Sequence, residues 1–60
     1  MFSVTYINKF TGLTDLAGYA ETKRKAINLA KTFLKGGRLT DEVKVYQGRP
    51  GEYLLETLTN

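Results

Sequence analysis

"ETKRKAINLAKTFLKGGR", residues 21–38, decides the fold. Ala26, Ile27, Leu29, Ala30, Phe33 and Leu34 recur at helical spacing, and at 100° per residue they fill an arc of about 160°. Thr22 stands where an N-cap belongs, with a hydroxyl able to accept an orphan N–H of the first turn. Gly36-Gly37 then supplies the left-handed C-cap that ends the run. The stretch predicts one helix over about 23–35, apolar on one side and made to lie on a flat surface.

Working outward, both flanks read as that surface. Residues 2–8, "FSVTYIN", alternate Phe2, Val4 and Tyr6 with Ser3, Thr5 and Ile7, and β-branched and aromatic residues dominate, which is strand chemistry. Asn8 and Gly12 in "NKFTG" suit a type I turn closed by a G1 bulge, so a hairpin to residues 14–20 follows. On the far side, 42–47 ("EVKVYQ") and 52–58 ("EYLLETL") form a second hairpin around "GRPG". The predicted fold is α+β, ordered ββαββ, with a single amphipathic helix packed on one face of a small antiparallel sheet. One domain spans 1–60. Its expected core is Phe33, Ile27, Ala30, Val4, Val43 and Val45.

Alternation in the second hairpin depends on register. If Gln47 faces Glu52, then Val43, Val45, Leu54 and Leu58 share one side, and Lys44, Tyr46, Tyr53 and Leu55 the other. A bulge exchanges these assignments in one strand.

Composition removes whole classes of function. The chain has no Cys and no His. It therefore has no disulfide, no thiolate metal site and no imidazole base. The carboxylates Asp15, Glu21, Asp41, Glu42, Glu52 and Glu56 are scattered. Asp41 and Glu42 are adjacent and point apart in an extended segment, while Glu52 and Glu56 stand about 13 Å apart on a strand, too far to share an ion. The glycine pairs lack the strand–loop–helix context of a phosphate cradle. No catalytic residue, metal or cofactor is expected. The start has no signal-peptide pattern and no apolar run long enough to span a membrane. With the initial Met, this reads as a small complete gene product acting in the cytoplasm.

What remains is surface. Of nine Lys and Arg, six lie within 22–38, where no acid stands; the rest of the chain sums to three bases minus six acids, or −3. The molecule is electrically two-sided. On the helix, Arg24, Asn28, Lys31 and Lys35 form a row opposite the apolar arc, about 16 Å long at 1.5 Å per residue, with Lys25 at its flank. Such a row suits several phosphates or an acidic protein patch, and equally suits the solvated side of any amphipathic helix. A second surface is the sheet face away from the helix, expected to carry Tyr46, Tyr53, Leu55 and one of Tyr6 or Tyr19. Tyrosine is favoured at interfaces, so a partner or a second copy of the chain in a homodimer fits there.

The run "GYAET" closing a hairpin, then a helix, then "VKVYQGRPGEYLLE", is similar in outline to small phage-encoded host-takeover proteins. One is an inhibitor of bacterial RNA polymerase, in which a Tyr-Ala-Glu-Thr segment likewise closes a strand and opens a helix. Small anti-CRISPR proteins share the pairing of one helix with a small sheet. The likeness runs over Tyr19 to Thr22 and, by layout, to about Tyr46. That inhibitor's helix is acid-rich and this one is basic, so its target does not carry over. The resemblance implies a non-enzymatic protein, in the host cytoplasm, that inhibits or redirects a host protein or nucleoprotein complex. Direct DNA or RNA binding through the basic helix is the alternative.

Overall fold

Two valines decide which strands lie in the middle. Val4 and Val45 pair across the centre of the sheet and neither is exposed to solvent. The computed structural model describes all residues, 1–60, as β1 (Phe2–Ile7), β2 (Thr14–Ala20), α1 (Lys23–Leu34), a 3-10 turn (Lys35–Gly37), β3 (Glu42–Gln47) and β4 (Tyr53–Thr59). The sheet is antiparallel throughout in the order β2-β1-β3-β4. The chain therefore leaves β2, passes through α1 over the sheet and returns as β3 on the other side of β1. The predicted ββαββ order holds.

α1 begins as its sequence directs: the Thr22 hydroxyl accepts the Lys25 N–H at 3.2 Å, and Gly36 at φ 83° turns the chain out of the helix. Ala26 and Ala30 are fully buried and, being small, let the helix axis lie close to Val4, Val43 and Val45. Gly18 permits the same closeness from β2, since a Cβ there would stand 3.2 Å from Leu29 Cδ2. Each fully buried valine contributes about 1.5–3 kcal/mol by its removal from water. Leu34 completes the buried cluster.

Two expectations about the core change. Phe33 and Ile27 are packed against the cluster from its rim and are only half-buried. Phe33 lies against Tyr6, with ring centroids 5.0 Å apart and planes 35° apart, so Tyr6 belongs to the helix side of the sheet. The reason is geometric: small alanines occupy the line of closest approach, and the large residues must flank it.

The third change concerns β4. The register shifts between Val45 and Tyr46, so that Val45 pairs with Glu56 while Tyr46 pairs with Leu54. The residue skipped is Leu55, and the bulge reverses the sides of the strand's first residues. Leu54 joins Tyr46 on the face away from the helix. Tyr53 pairs with Gln47, itself opposite Phe2, which packs against the core cluster, and so lies on the helix side. The expectation that Tyr46 and Tyr53 share the open face is thereby corrected.

Candidate functional site

The basic stripe is built by a helix whose other side is fixed. Because Ala26, Ala30 and Leu34 are buried against the sheet, Arg24, Asn28 and Lys31 point outward, and all three are exposed. Lys35 is the C-cap, with φ −58° and ψ 122°, yet its backbone N–H still donates to the Lys31 carbonyl. A cap residue remains half within the helical path, so the row reaches its predicted length. Lys25 is exposed at the flank, and Lys23 on the other.

Of the three cations outside residues 22–38, Lys9 and Lys44 are paired and Arg49 is not; within that stretch none of the six is. The molecule has two ion pairs, Lys9–Asp41 at 3.1 Å and Lys44–Glu42 at 3.9 Å. Neither involves a cation of residues 22–38. Lys23, Arg24, Lys25, Lys31, Lys35 and Arg38 thus have no carboxylate within 4.0 Å, and no acid occupies the first turn of the helix. Lys23, Arg24 and Lys25 crowd the first turn, at the positive end of the helix dipole, with no acid among them. That concentration of positive charge is a local cost to the helix, whereas Lys31 and Lys35 stand at the end where the dipole favours cations.

The face away from the helix is assembled in two cross-strand rows. Tyr19, Ser3, Tyr46 and Leu54 lie side by side across β2, β1, β3 and β4, and Leu16, Thr5, Lys44 and Thr57 form the next row. Tyr19, Leu16 and Leu54 are each about half exposed, at 51%, 49% and 49%. Between them Ser3 and Thr5 are buried, and neither hydroxyl has a hydrogen-bond partner. The composition of this face was legible only in part: Tyr46 and Tyr19 are there, Tyr53 is not. Leu54 and Leu16 escaped because bulges in β4 and β2 shift their sides; Gly18, an isolated glycine inside β2, is the signal that could have found one, and β4 has no such signal.

A third feature had no sequence signal. The first hairpin's tip presents Phe10 at 80% and Leu13 at 66% exposure. The loop beneath them is ordered, with the Asn8 side-chain oxygen accepting the N–H of Phe10 at 2.8 Å and of Thr11 at 3.3 Å. Lys9 ties this tip to the loop after the helix: its N–H donates to the Leu39 carbonyl at 2.9 Å and its ammonium to the Gly37 carbonyl at 2.6 Å.

Acidic groups are not gathered. No three Asp or Glu side chains approach closely enough to hold a metal ion. No helix is long and apolar enough to cross a membrane. Among known proteins, no family model, curated sequence or solved structure matches the chain.

Proposed function

We propose that this is a non-catalytic binding protein that docks the outer face of α1 on an acidic surface of a larger macromolecular complex and thereby inhibits or redirects it. The observation that carries the reading is the set of six cations from Lys23 to Arg38, along α1 and the turn after it, none of them in an ion pair, with the helix's other side packed on the sheet. A surface held positive at a cost to its own helix attracts an anionic partner and speeds its encounter. The outline shared with small phage-encoded takeover proteins supports a protein or nucleoprotein target in a host cytoplasm.

Affinity capture from the native host, with the wild type and with Arg24→Gln/Lys31→Gln/Lys35→Gln side by side at physiological salt, tests the reading. The expected result is a defined complex retained by the wild type and lost from the triple variant. Equal retention would reduce the stripe to a solvated helix face. Mobility shifts with duplex DNA and RNA separate the alternative: contact with three phosphates would give a log–log salt slope near about −2.7 on duplex DNA, with little sequence preference.

A further inference from the structure

The molecule has a single cleft, about 320 Å³, at the C-terminal end of α1, lined by Thr32, Phe33, Lys35, Arg38 and Leu39. It continues the basic stripe at Lys35. Phe33 and Leu39 are half-buried and form its apolar part, while Lys35 and Arg38 are exposed. The Thr32 hydroxyl donates to the Asn28 carbonyl at 3.0 Å, so it is already satisfied.

Two details make this more than a dent beside two cations. The nearest acid of the loop, Asp41, is occupied by Lys9 at 3.1 Å and by the Asn60 side chain at 3.3 Å, which leaves Lys35 and Arg38 uncompensated. The same Lys9 holds the Gly37 and Leu39 carbonyls, so the loop that carries Arg38 and Leu39 is fixed before any ligand arrives. Two full positive charges outweigh the roughly half negative charge at a helix C-terminus. In size the cleft stands at the lower end of ligand pockets, about 300–1,000 Å³, and it is shallow and largely open to solvent, so it suits one side chain of a surface-bound segment rather than an enclosed small molecule.

Resting on the reading of α1 as a docking face, we propose that this cleft is its anchor pocket: it receives one aromatic or aliphatic side chain of an acidic protein segment, whose flanking carboxylates meet Lys35 and Arg38. Charge selects an acidic partner and the apolar floor selects a peptide. A nucleic acid backbone would use the cations alone, whereas a peptide side chain also uses the apolar floor that Phe33 and Leu39 provide between them.

The test is an NMR titration of the intact protein with two short peptides of Glu and Asp, one with a central Phe and one with a central Ser. The Phe peptide is expected to bind about tenfold more tightly, as partial burial of one aromatic side chain would give. Its largest shifts should fall at Thr32, Phe33, Arg38 and Leu39. Arg38→Gln should weaken both peptides, and Thr32→Tyr, a change at an exposed helical position that fills the cleft, should abolish the advantage of Phe. Equal binding of the two peptides, with shifts along Arg24 to Lys35, would overturn the pocket and leave the docking face standing. No shift from either peptide at millimolar concentration would overturn the pocket too, with the docking face still decided by the capture experiment. Displacement of the Phe peptide by short duplex DNA at physiological salt, through shifts at the same residues, would overturn it in favour of nucleic acid.

Discussion

Lys9 and Asp41 meet at 3.1 Å and join the first hairpin to the loop after the helix. Asn60 adds the C-terminus to the same point, its backbone N–H donating to the Asp41 carbonyl at 3.2 Å and its side chain to the Asp41 carboxylate at 3.3 Å. One carboxylate thus gathers three separate parts of the chain.

That clamp has a pH signature. Hydrogen bonding from Lys9, then from Asn60, with a smaller charge attraction to Lys9, holds the Asp41 carboxyl below its ordinary value, against a slight opposing effect of burial. A carboxyl depressed in the folded state adds stability that is present above its unfolded value and is lost as pH falls through its folded one. The melting temperature should therefore fall as pH drops below about 4, and Asp41→Asn should flatten that acid limb. Parallel melting curves for the two proteins from neutral pH to pH 2 would show the clamp to be energetically idle.

The core predicts an order of damage. Leu34 is 7% exposed, whereas Phe33 flanks the cluster half-buried. Leu34→Ala should cost about 2–5 kcal/mol, and Phe33→Ala less than the about 3–5 kcal/mol of a fully buried phenylalanine. A chain of this size has on the order of 3–9 kcal/mol of total stability. Leu34→Ala should hence melt well below the wild type and below Phe33→Ala. Circular dichroism of both would reveal a reversed order if Phe33 were the true keystone.

Much of this was legible beforehand because it depends on local chemistry. The helix follows from its 3.6-residue period, the Thr22 cap and Gly36, each readable without knowing what lies opposite. The strands follow from β-branched runs between turn residues. What escaped depends on partners distant in sequence. The skipped Leu55 is set by how Tyr46 seats against Leu54 across the ladder, and it moved Tyr53 to the other side. The cleft needs Lys9 to pin Gly37 and Leu39, a contact between two loops that no periodicity records. The stripe itself was fully readable, since it is the complement of the buried arc.

Removing the stripe should leave folding intact. Arg24, Lys31 and Lys35 make no ion pair, and Gln is as good a helix former as Lys. Arg24→Gln/Lys31→Gln/Lys35→Gln also removes the like-charge pair at Lys31 and Lys35, worth about 0.2–0.5 kcal/mol. It takes Arg24 from the positive end of the helix dipole as well, and together these offset the lost attraction of the two lysines to its negative end. Urea titration should give a midpoint equal to or slightly above that of the wild type. A clear loss of stability would mean that these side chains support the helix, and a loss of binding in the triple variant could no longer be assigned to charge.

The last prediction concerns Ser3 and Thr5, whose hydroxyls are buried beneath the open face without a partner. Interiors normally satisfy such groups, and an unpaired one costs about 1–3 kcal/mol. Thr5→Val keeps the shape and the β-branch and replaces the hydroxyl by a methyl group. Ser3→Ala removes the hydroxyl outright beside Tyr19 and Tyr46, with a small loss of volume. Each should raise stability, Thr5→Val by about 1 kcal/mol, which for a domain of this size is about 4–8 °C in melting temperature. The open face itself spans about 19 Å across four strands and about 20 Å along them, roughly 400 Å² a copy. Two copies face to face would cover about 800 Å² of flat footprint in all, short of the about 1,200 Å² of accessible surface at which stable interfaces begin, so the wild type should sediment as a monomer at micromolar concentration. Thr5→Val should do so as well. A stabilisation that appeared only with rising protein concentration would instead place a second copy over these hydroxyls, and an unchanged melting temperature at every concentration would mean that water already satisfies them.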